Sequence, residues 1–228
     1  HIDIISEDPF GQLTTWQAQQ VLLALPPRLA ATTIAFTPAL PTELTIQWKN
    51  TSTWMAPHAK YFAFYDTPFW RDTGLSGAAR STIGPLVEIH DASIIEGSGA
   101  LFGFIGVPVQ QRQSVSETVL KEHCRAQLVR LFGVEAGTPK AEYLKDWAQD
   151  SFTATFADLD VNADSYGQHA SAPNAKASSG VWQHGLTGIG SEWSRQFSGY
   201  TAGAIDAASV AVQNLPECLL NLESKKHN

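Results

Sequence analysis

The clearest alternation of residue types along the chain lies in residues 59–65, which read AKYFAFY. Side chains alternate between the two faces of a β-strand, so Lys60, Phe62 and Phe64 are predicted to share one face and the two tyrosines the other. Antiparallel neighbours are predicted from two later stretches, PLVEIHDAS and GALFGFIGV, which are joined by a glycine-rich turn. These stretches indicate a sheet with antiparallel pairing.

The first part of the chain predicts a hairpin and a buried strand. Apolar and polar residues alternate from Ile2, and the segment EDPFGQ is typical of a turn. The run Val21–Leu25 is continuously apolar, which predicts a returning strand within residues 18–27 that is buried on both faces. Pro26 and Pro27 are expected to end it, since proline cannot donate to the hydrogen-bond ladder, and the following FTPALP is expected to be an extended link.

Two helices are predicted from helical periodicity and end signals. Ser114 and Glu117 have the spacing of a capping box, and Gly133 is a typical stop signal. Between them, apolar residues recur on one helical face at Leu120, Cys124, Leu128 and Leu131. A second helix, rich in small residues, is predicted over residues 199–215. Together these elements predict an α+β fold, a mixed and largely antiparallel sheet flanked by helices.

Composition narrows the possible partners. Hydrophobic residues make up 43% of the chain, and the net charge is −7 without a basic stripe, so nucleic acid is not an expected partner. Cys124 and Cys218 are far apart and form no CxxC pair, which favours two free buried thiols over a single disulfide. The scattered histidines do not predict a metal site. No apolar run could span a bilayer, and neither compartment nor oligomeric state is indicated.

The stretch SGYTAGAIDAA raises a specific question about what approaches it. Gly199, Ala202, Gly203 and Ala204 would let a bulky ligand lie against the start of the helix, where backbone N–H groups and the helix dipole favour an electron-rich group. Glu192, after the turn GIGSE, could accept hydrogen bonds from sugar-like hydroxyls. The alternative is a small-residue helix that packs tightly on the sheet, which is the commoner case.

Lys60 is the second singular residue, because it lies at the start of an apolar, aromatic strand. A lysine on a buried face needs a partner or a water, and one interpretation is a cation held beside a reaction centre. The other interpretation is a surface lysine at a strand end. Four aromatic residues could form a cage for an amine, although each could also be core: Trp147, Phe152, Tyr166 and Tyr200.

Several stretches, in order along the chain, resemble the flavin-containing amine oxidases, the group of monoamine, polyamine and L-amino-acid oxidases. The C-terminal flavin motif of that family is similar to GSEWSRQFSGYTAGAIDAA. Other resemblances are carried by LLALPPRL, FTPALP, AKYFAFYDTPFWR and YLKDWAQDSF. The resemblance implies the fold of the family's substrate-binding domain plus its flavin-contacting helix.

The resemblance also implies roles for individual residues. Lys60 falls where the family keeps the lysine that holds a water near flavin N5, and it is the expected catalytic residue. The positions expected to contact FAD are Gly190, Ser191, Glu192, Gly199, Tyr200, Thr201 and Ala202. The positions expected to contact substrate are Tyr200, Tyr166 and Trp147.

Two departures from the family pattern qualify these expectations. Tyr166 aligns at or near the cysteine that bonds covalently to FAD in monoamine oxidases, so any FAD is expected to be non-covalent. The chain also lacks the glycine-rich dinucleotide fingerprint that binds the ADP half of FAD. We therefore expect a C-terminal portion of a longer enzyme, inactive alone, with a substrate-binding part over 1–180 and a flavin-contacting part over 181–228.

The resemblance implies oxidation of a C–N bond of a small amine, with dioxygen as acceptor and hydrogen peroxide as product. One alternative is a non-catalytic remnant that serves as a binding or assembly module. Another is a non-oxidase flavoenzyme on the same scaffold, similar to a desaturase or isomerase. The substrate class stays open, since Arg80, Arg112 and Arg195 are candidates for a carboxylate clamp without a known geometry.

Overall fold

The structure is a computed structural model that describes residues 1–95, 97–159 and 170–215. The chain divides into two compact units, the first formed by His1–Trp54 with the chain from Thr155 onward and the second by Met55–Ala154. The predicted division at residue 180 separates stretches by expected role, and it stays a prediction.

The elements lie in the following order along the chain. The strands are β1 (Ile2–Glu7), β2 (Leu13–Ala18), β3 (Val21–Leu23), β4 (Ala59–Tyr65), β5 (Ala79–Arg80), β6 (Leu86–Asp91), β7 (Gly99–Ile105), β8 (Ala141–Asp146) and β9 (Leu186–Gly188). The helices are α1 (Pro27–Thr33), α2 (Thr42–Asn50), α3 (Val109–Gln113), α4 (Glu117–Phe132), α5 (Phe156–Leu159) and α6 (Thr201–Gln213). The mixed composition confirms the predicted α+β class.

The second unit is built on a five-stranded antiparallel sheet in the order β5-β6-β7-β4-β8. Buried and half-buried residues alternate along β4, as the AKYFAFY pattern predicts. The buried face, which includes Tyr61 and Leu101, packs against Leu128 and other residues of α4 to form one hydrophobic core. The opposite face carries Lys60 and the phenylalanines, so the predicted division of side chains between the two faces is confirmed.

Helix α4 begins two residues later than a capping box at Ser114 requires, so that prediction is wrong. The N-cap is Ser116, whose Oγ accepts a hydrogen bond from the N–H of Val119 at 3.3 Å. Ser114 instead follows the short helix α3 as its C-cap residue. Gly133 ends α4 with a φ of 103°, a conformation that glycine adopts without a steric penalty, which confirms the predicted stop.

The first unit contains two small sheets and an aromatic core. Strands β1 and β2 form the predicted hairpin, and β3 pairs in parallel with β9. Trp48 of α2 is fully buried, and its ring centroid lies 5.4 Å from that of Trp193. The indole N–H of Trp48 donates to the carbonyl of Asn174 at 2.8 Å, which satisfies the one polar atom of this buried side chain.

The chain between β3 and α2 differs from the sequence-based expectation. Strand β3 ends at Leu23, and Leu22 is 38% exposed, so the predicted strand is shorter and is not buried on both faces. The prediction that Pro26 and Pro27 end the strand is also wrong, since Pro26 is the N-cap residue and Pro27 the first residue of α1. Proline suits that position because its fixed φ is helical and the N–H it lacks would have no helical partner.

A buried ion pair connects separate segments of the first unit. Arg28 of α1 donates to Asp158 of α5, whose side chain is 1% exposed. The same carboxylate accepts the N–H of Thr53 at 3.1 Å, and the N–H and hydroxyl of Thr155 at 2.9 and 2.7 Å. Four donors therefore compensate for the cost of burying this charge.

Candidate functional site

The predicted flavin-contacting residues cluster in the first unit, between β9 and α6. A short 3₁₀ turn, Ser191–Trp193, has Gly190 as its N-cap residue, two positions after the end of β9 at Gly188. The N–H of Gly199 lies 3.4 Å from the carbonyl oxygen of Ser191, so the two halves of the motif are brought together. Gly199 has a φ of 81°, which explains why a glycine precedes the helix.

The small residues of the motif are partly explained by packing within the chain. A Cβ added to Gly203 would collide with the carbonyl oxygen of Phe197, and one added to Gly190 would lie 2.9 Å from that of Leu25. At these two positions the group that approaches the backbone is the chain itself. The packing interpretation therefore holds for Gly190 and Gly203.

Glu192 is buried beside this helix, with a relative exposure of 6%. Burial raises its pKa, and this effect outweighs the opposing hydrogen bonds from its own backbone and from Ser191. The hydroxyl of Ser191 donates to the carboxylate at 3.1 Å. A buried carboxyl usually has several hydrogen-bond partners, so Glu192 is suited to accept hydroxyl groups of a ligand.

Helix α6 begins at Thr201, with Tyr200 as the N-cap residue, and no side chain among the described residues caps it. The N–H of Gly203 already donates to the carbonyl of Tyr200 at 2.9 Å, so the N–H groups that the open start of the helix offers to a polar ligand are those of Thr201 and Ala202. The ring of Tyr200, half exposed, lies 5.1 Å from that of Trp54. No sequence motif marks Trp54 as a neighbour of Tyr200.

The second unit carries the other candidate surface, the half-buried face of the five-stranded sheet. Strand register places side chains on it in two rows. The first row is Lys145, Lys60, Phe104 and Glu88, and the second is Tyr143, Phe62, Phe102 and His90. We call these eight residues, together with Phe64, the aromatic face.

Lys60 lies among rings. Its Nζ is 5.0 Å from the centroid of Phe104 and 6.0 Å from that of Phe102, and it makes no ion pair with any described carboxylate. Its neighbour Lys145 is different, since its Nζ lies 2.5 Å from Asp150 and 4.6 Å above the ring of Trp147. Lys60 thus differs from Lys145 in that its ammonium group contacts aromatic rings without pairing with a described carboxylate.

The remaining candidate residues from the sequence differ in their positions and in their exposure to solvent. The ring of Trp147 contacts the aromatic face by way of the ammonium group of Lys145, which lies over it. Tyr166 and Cys218 lie outside the described residues. Phe152 is 86% exposed, so it does not belong to a cage within its unit. Cys124 is buried and free in the core beneath the sheet, and burial raises its pKa to about 12.

The three arginines that are candidates for a carboxylate clamp lie in different surroundings. The guanidinium of Arg112 is buried and donates to both carboxylate oxygens of Asp146, at 2.9 and 2.8 Å. Arg80 is exposed and lies 3.6 Å from Glu88. Arg195 lines a groove of about 660 Å³ along α6, together with Trp193 and Asp206. Arg112 is therefore already committed to a structural carboxylate.

Sequence reasoning missed Glu88, His90, Phe102 and Phe104 as parts of a site. The alternation in PLVEIHDAS and GALFGFIGV places each pair on one face of its own strand. Only the register between strands shows that both pairs share a face with Lys60. Within residues 1–95, 97–159 and 170–215, no three metal-ligating side chains cluster, and no helix is long and apolar enough to cross a membrane.

Comparison with known proteins places these observations in a family. A family model described as flavin containing amine oxidoreductase matches residues 7–215. A probable flavin-containing monoamine oxidase A of Dictyostelium discoideum is 27% identical over 218 residues, which is 91% of this chain and 44% of the relative. A putrescine oxidase of Kocuria rosea is 29% identical over 184 residues, 72% of this chain and 36% of the relative.

A third relative, an L-amino acid dehydrogenase of Synechocystis, is 26% identical over 222 residues, 93% of this chain and 44% of the relative. Among solved structures, a putrescine oxidase matches with a TM-score of 0.66 at 24% identity, over 88% of this chain and 44% of that one. A cyclohexylamine oxidase from Brevibacterium oxydans matches with a TM-score of 0.65 at 24% identity, over 92% and 47%. The structural likeness concerns the fold, and the chain spans less than half the length of these proteins.

Proposed function

Because this chain belongs to the flavin-containing amine oxidoreductase family, we propose that it is the amine-binding and C-terminal part of an FAD-dependent amine oxidase. The complete enzyme would oxidise a C–N bond of a small amine. The observation that carries the proposal is the position of Lys60, a half-buried cation held over Phe104 on the aromatic face. The stretch AKYFAFY both carries the family resemblance and builds that face.

The first unit would hold the cofactor. Glu192 is a buried carboxyl that can accept hydroxyl groups, and the uncapped start of α6 offers N–H groups at Thr201 and Ala202. Both fit the ribityl and ring edges of FAD in chemical character. Bound FAD would accept the hydride equivalent from the amine carbon and deliver electrons to dioxygen, with hydrogen peroxide as the product.

We propose that FAD is bound without a covalent link. Cys124 is enclosed in the core beneath the sheet, and its raised pKa of about 12 keeps the thiol protonated. A protonated, buried thiol is a poor nucleophile. The stretch ADSYGQHASAP, in which Tyr166 falls at or near the position of the family's cysteine, contains no cysteine.

The aromatic face would contribute two effects. Its rings would surround the carbon atoms of the amine and exclude water, which strengthens electrostatic interactions nearby. Lys60 would supply a positive charge where negative charge develops on dioxygen. Removing one group that stabilises developing charge in this way typically slows a reaction by about 10²–10³-fold. Phe104 and Phe102 would hold the ammonium group of Lys60 in place.

The length of the chain bears on activity. It spans 44% of the Dictyostelium relative and 36% of the putrescine oxidase, and it contains no glycine-rich dinucleotide fingerprint. We propose that a further polypeptide segment with such a fingerprint binds the ADP half of FAD. The 228-residue chain by itself would then be inactive.

One observation favours a second function. The relative from Synechocystis is named an L-amino acid dehydrogenase, and a dehydrogenase passes electrons to an acceptor other than dioxygen. The complete protein could therefore use an amine with another electron acceptor. Release of hydrogen peroxide on addition of an amine distinguishes the two functions.

An absorbance spectrum tests the cofactor part of the proposal. The 228-residue chain and the protein expressed from the complete gene are each mixed with FAD, desalted and scanned. We expect the complete protein to retain flavin absorbance, to bleach when an amine is added without oxygen, and to release hydrogen peroxide in air. A complete protein that keeps no flavin, or whose flavin no amine reduces, would contradict the proposed function.

A further inference from the structure

Two lysines lie directly opposite each other on the aromatic face. Lys60 of β4 pairs in register with Lys145 of β8, so both side chains belong to the same row. Directly opposed residues of an antiparallel pair have their Cβ atoms about 4.5–5.5 Å apart, and like charges at such positions repel each other. This repulsion bears on function, because the chemistry proposed above needs a positive charge on Lys60.

Lys145 is neutralised by a carboxylate that follows its strand. Its Nζ lies 2.5 Å from Oδ2 of Asp150 and 4.6 Å from the centroid of the Trp147 ring. These contacts direct the ammonium group of Lys145 toward the chain that follows β8. Lys60 pairs with no carboxylate among the described residues, and its ammonium group lies 5.0 Å from the centroid of the Phe104 ring.

Asp150 is fixed by the turn in which it lies. Its Oδ1 accepts the N–H of Phe152 at 3.0 Å, and its carbonyl oxygen accepts the N–H groups of Thr153 and Ala154 at 3.0 and 2.9 Å. Its side chain is 19% exposed, compared with 47% for Lys145. The hydrogen bond from Lys145 is the largest of the effects that lower the pKa of Asp150, so the carboxylate is charged at neutral and alkaline pH.

We propose that Asp150 is a positioning residue for the reaction with dioxygen, because it neutralises Lys145 and thereby keeps Lys60 charged on the aromatic face. This inference rests on the function proposed above, in which Lys60 stabilises the negative charge that develops on dioxygen. Asp150 acts through Lys145 and not on the reacting atoms. Without Asp150, Lys145 would be an uncompensated cation opposite Lys60, and each lysine would disfavour the charged form of the other.

The other titratable and charged side chains around Lys60 belong to the neighbouring strands and to the residues just before β4. They are Tyr143 of β8, Glu88 and His90 of β6, Arg80 of β5, and His58, whose ring contacts that of Phe104. Glu88 pairs with His90 at 2.8 Å, and Phe104 lies between Glu88 and Lys60 in the row. These groups are the same in the parent and in every variant below, so a difference between proteins reports on Asp150 and Lys145.

The variants separate an electrostatic role of Asp150 from a structural one. Asp150→Asn removes the charge but keeps an oxygen that can accept the N–H of Phe152. The double variant Asp150→Asn/Lys145→Met also removes the cation, so it should reverse an effect that arises from repulsion but not one that arises from a damaged turn. Asp66→Asn is the matched control, since Asp66 is an exposed carboxylate that pairs with Lys140.

Two measurements follow the charge of Lys60 across alkaline pH. In the complete, FAD-loaded protein, the flavin is reduced with dithionite and its reoxidation by dioxygen is followed by stopped flow. The quantity compared is the half-rate pH, the alkaline pH at which the reoxidation rate falls to half of its maximum. In the FAD-free protein, the rate at which acetic anhydride acetylates Lys60 is measured by peptide mass spectrometry, because only the neutral amine reacts.

We expect Asp150→Asn to lower the half-rate pH by about 1 unit. A shift of that size corresponds to a unit charge about 10 Å away at an effective dielectric constant of about 20. Acetylation of Lys60 below the half-rate pH should become about 10-fold faster, since about 10-fold more of the amine is neutral. The double variant should return both quantities to near the parental values, and Asp66→Asn should match the parent.

Each other outcome overturns the inference in a distinct way. Parental values of both quantities in Asp150→Asn would show that Asp150 does not control the charge of Lys60. A shift that persists in the double variant would assign Asp150 a structural role in the turn. A shift in acetylation without a shift in reoxidation would remove Lys60 from the reaction with dioxygen. A complete protein that retains no flavin would instead contradict the proposed function, while acetylation would still decide whether Asp150 controls the charge of Lys60.

Discussion

The two compact units differ in the size of their sheets and in how much apolar surface those sheets bury. In the second unit, five strands and α4 enclose one continuous core, and the opposite face presents the aromatic side chains. In the first unit, the sheets have two strands each, and apolar side chains of the β1–β2 hairpin are 60% to 94% exposed at Ile5, Phe10, Leu13 and Trp16.

This difference shows where side-chain positions come from. A sheet of five strands holds the residues of both faces in register, so Lys60 and Glu88 are placed by the same hydrogen-bond ladder. Two-stranded sheets are marginal in isolation. The first unit is stabilised instead by the hydrophobic core around Trp48 and Trp193, and by the buried carboxylate of Asp158, which connects separate segments.

The largest expected effect concerns that carboxylate. Asp158→Ala would leave the guanidinium of Arg28 and the N–H of Thr53 without their buried partner, and such a loss costs about 3–5 kcal/mol. Urea unfolding followed by tryptophan fluorescence measures the change, with Glu7→Ala in the exposed hairpin as the control. If both variants changed the free energy of unfolding by less than about 0.5 kcal/mol, Asp158 would not hold the first unit together.

The next effect compares a buried leucine in the core of the second unit with an exposed leucine in the hairpin of the first unit. Leu101→Ala removes a fully buried side chain from the sheet and should cost about 2–5 kcal/mol. Leu13→Ala removes the same atoms from a side chain that is 63% exposed and should stay within about 0.5 kcal/mol. Equal losses in urea unfolding would mean that the hairpin is packed as tightly as the sheet, and the contrast would fail.

A third effect concerns the chemistry proposed for Lys60 on the aromatic face. In the complete, FAD-loaded protein, Lys60→Met should slow reoxidation of reduced flavin by dioxygen by about 100-fold, since a charge that stabilises developing negative charge is lost. Binding of the amine should change little. Lys140→Met, at an exposed lysine that pairs with Asp66, is the control. Reoxidation at the parental rate would remove Lys60 from the proposed mechanism.

The smallest effect is a dependence of stability on pH in the second unit. Burial would raise the pKa of Asp91, but hydrogen bonds from Ser93, Trp70 and Arg71 outweigh burial and lower it to about 2. A pKa lower in the folded than in the unfolded state stabilises the protein above the unfolded value of about 4, and this contribution is lost as pH falls from about 4 to 2.

Urea unfolding of the parent and of Asp91→Asn across that pH range measures this contribution. The two free energies of unfolding should converge toward pH 2, where the carboxylate of the parent becomes protonated. A constant difference from pH 5 to pH 2 would show that the charge of Asp91 does not contribute. The exposed guanidinium of Arg71 keeps the expected difference near about 1 kcal/mol.

Local patterns predicted some features well and others poorly. The alternation in residues 59–65, the stop at Gly133 and the small-residue helix near the C-terminus were confirmed, because neighbouring residues alone encode them. The helices α1 and α2 were not predicted. Their short, proline-flanked sequences carry little periodicity, and packing around the buried Trp48 stabilises them.

The sequence by itself determined the family, the strand that carries Lys60 and the glycine-containing segment before α6. Each of these depends on a pattern of contiguous residues. The tertiary structure decided which distant residues meet. Arg28 and Asp158 are 130 positions apart, and Glu88 shares a row with Lys60 only through the register of β6, β7 and β4. Register depends on pairing between remote segments, and a shift of one residue would turn Glu88 to the opposite face.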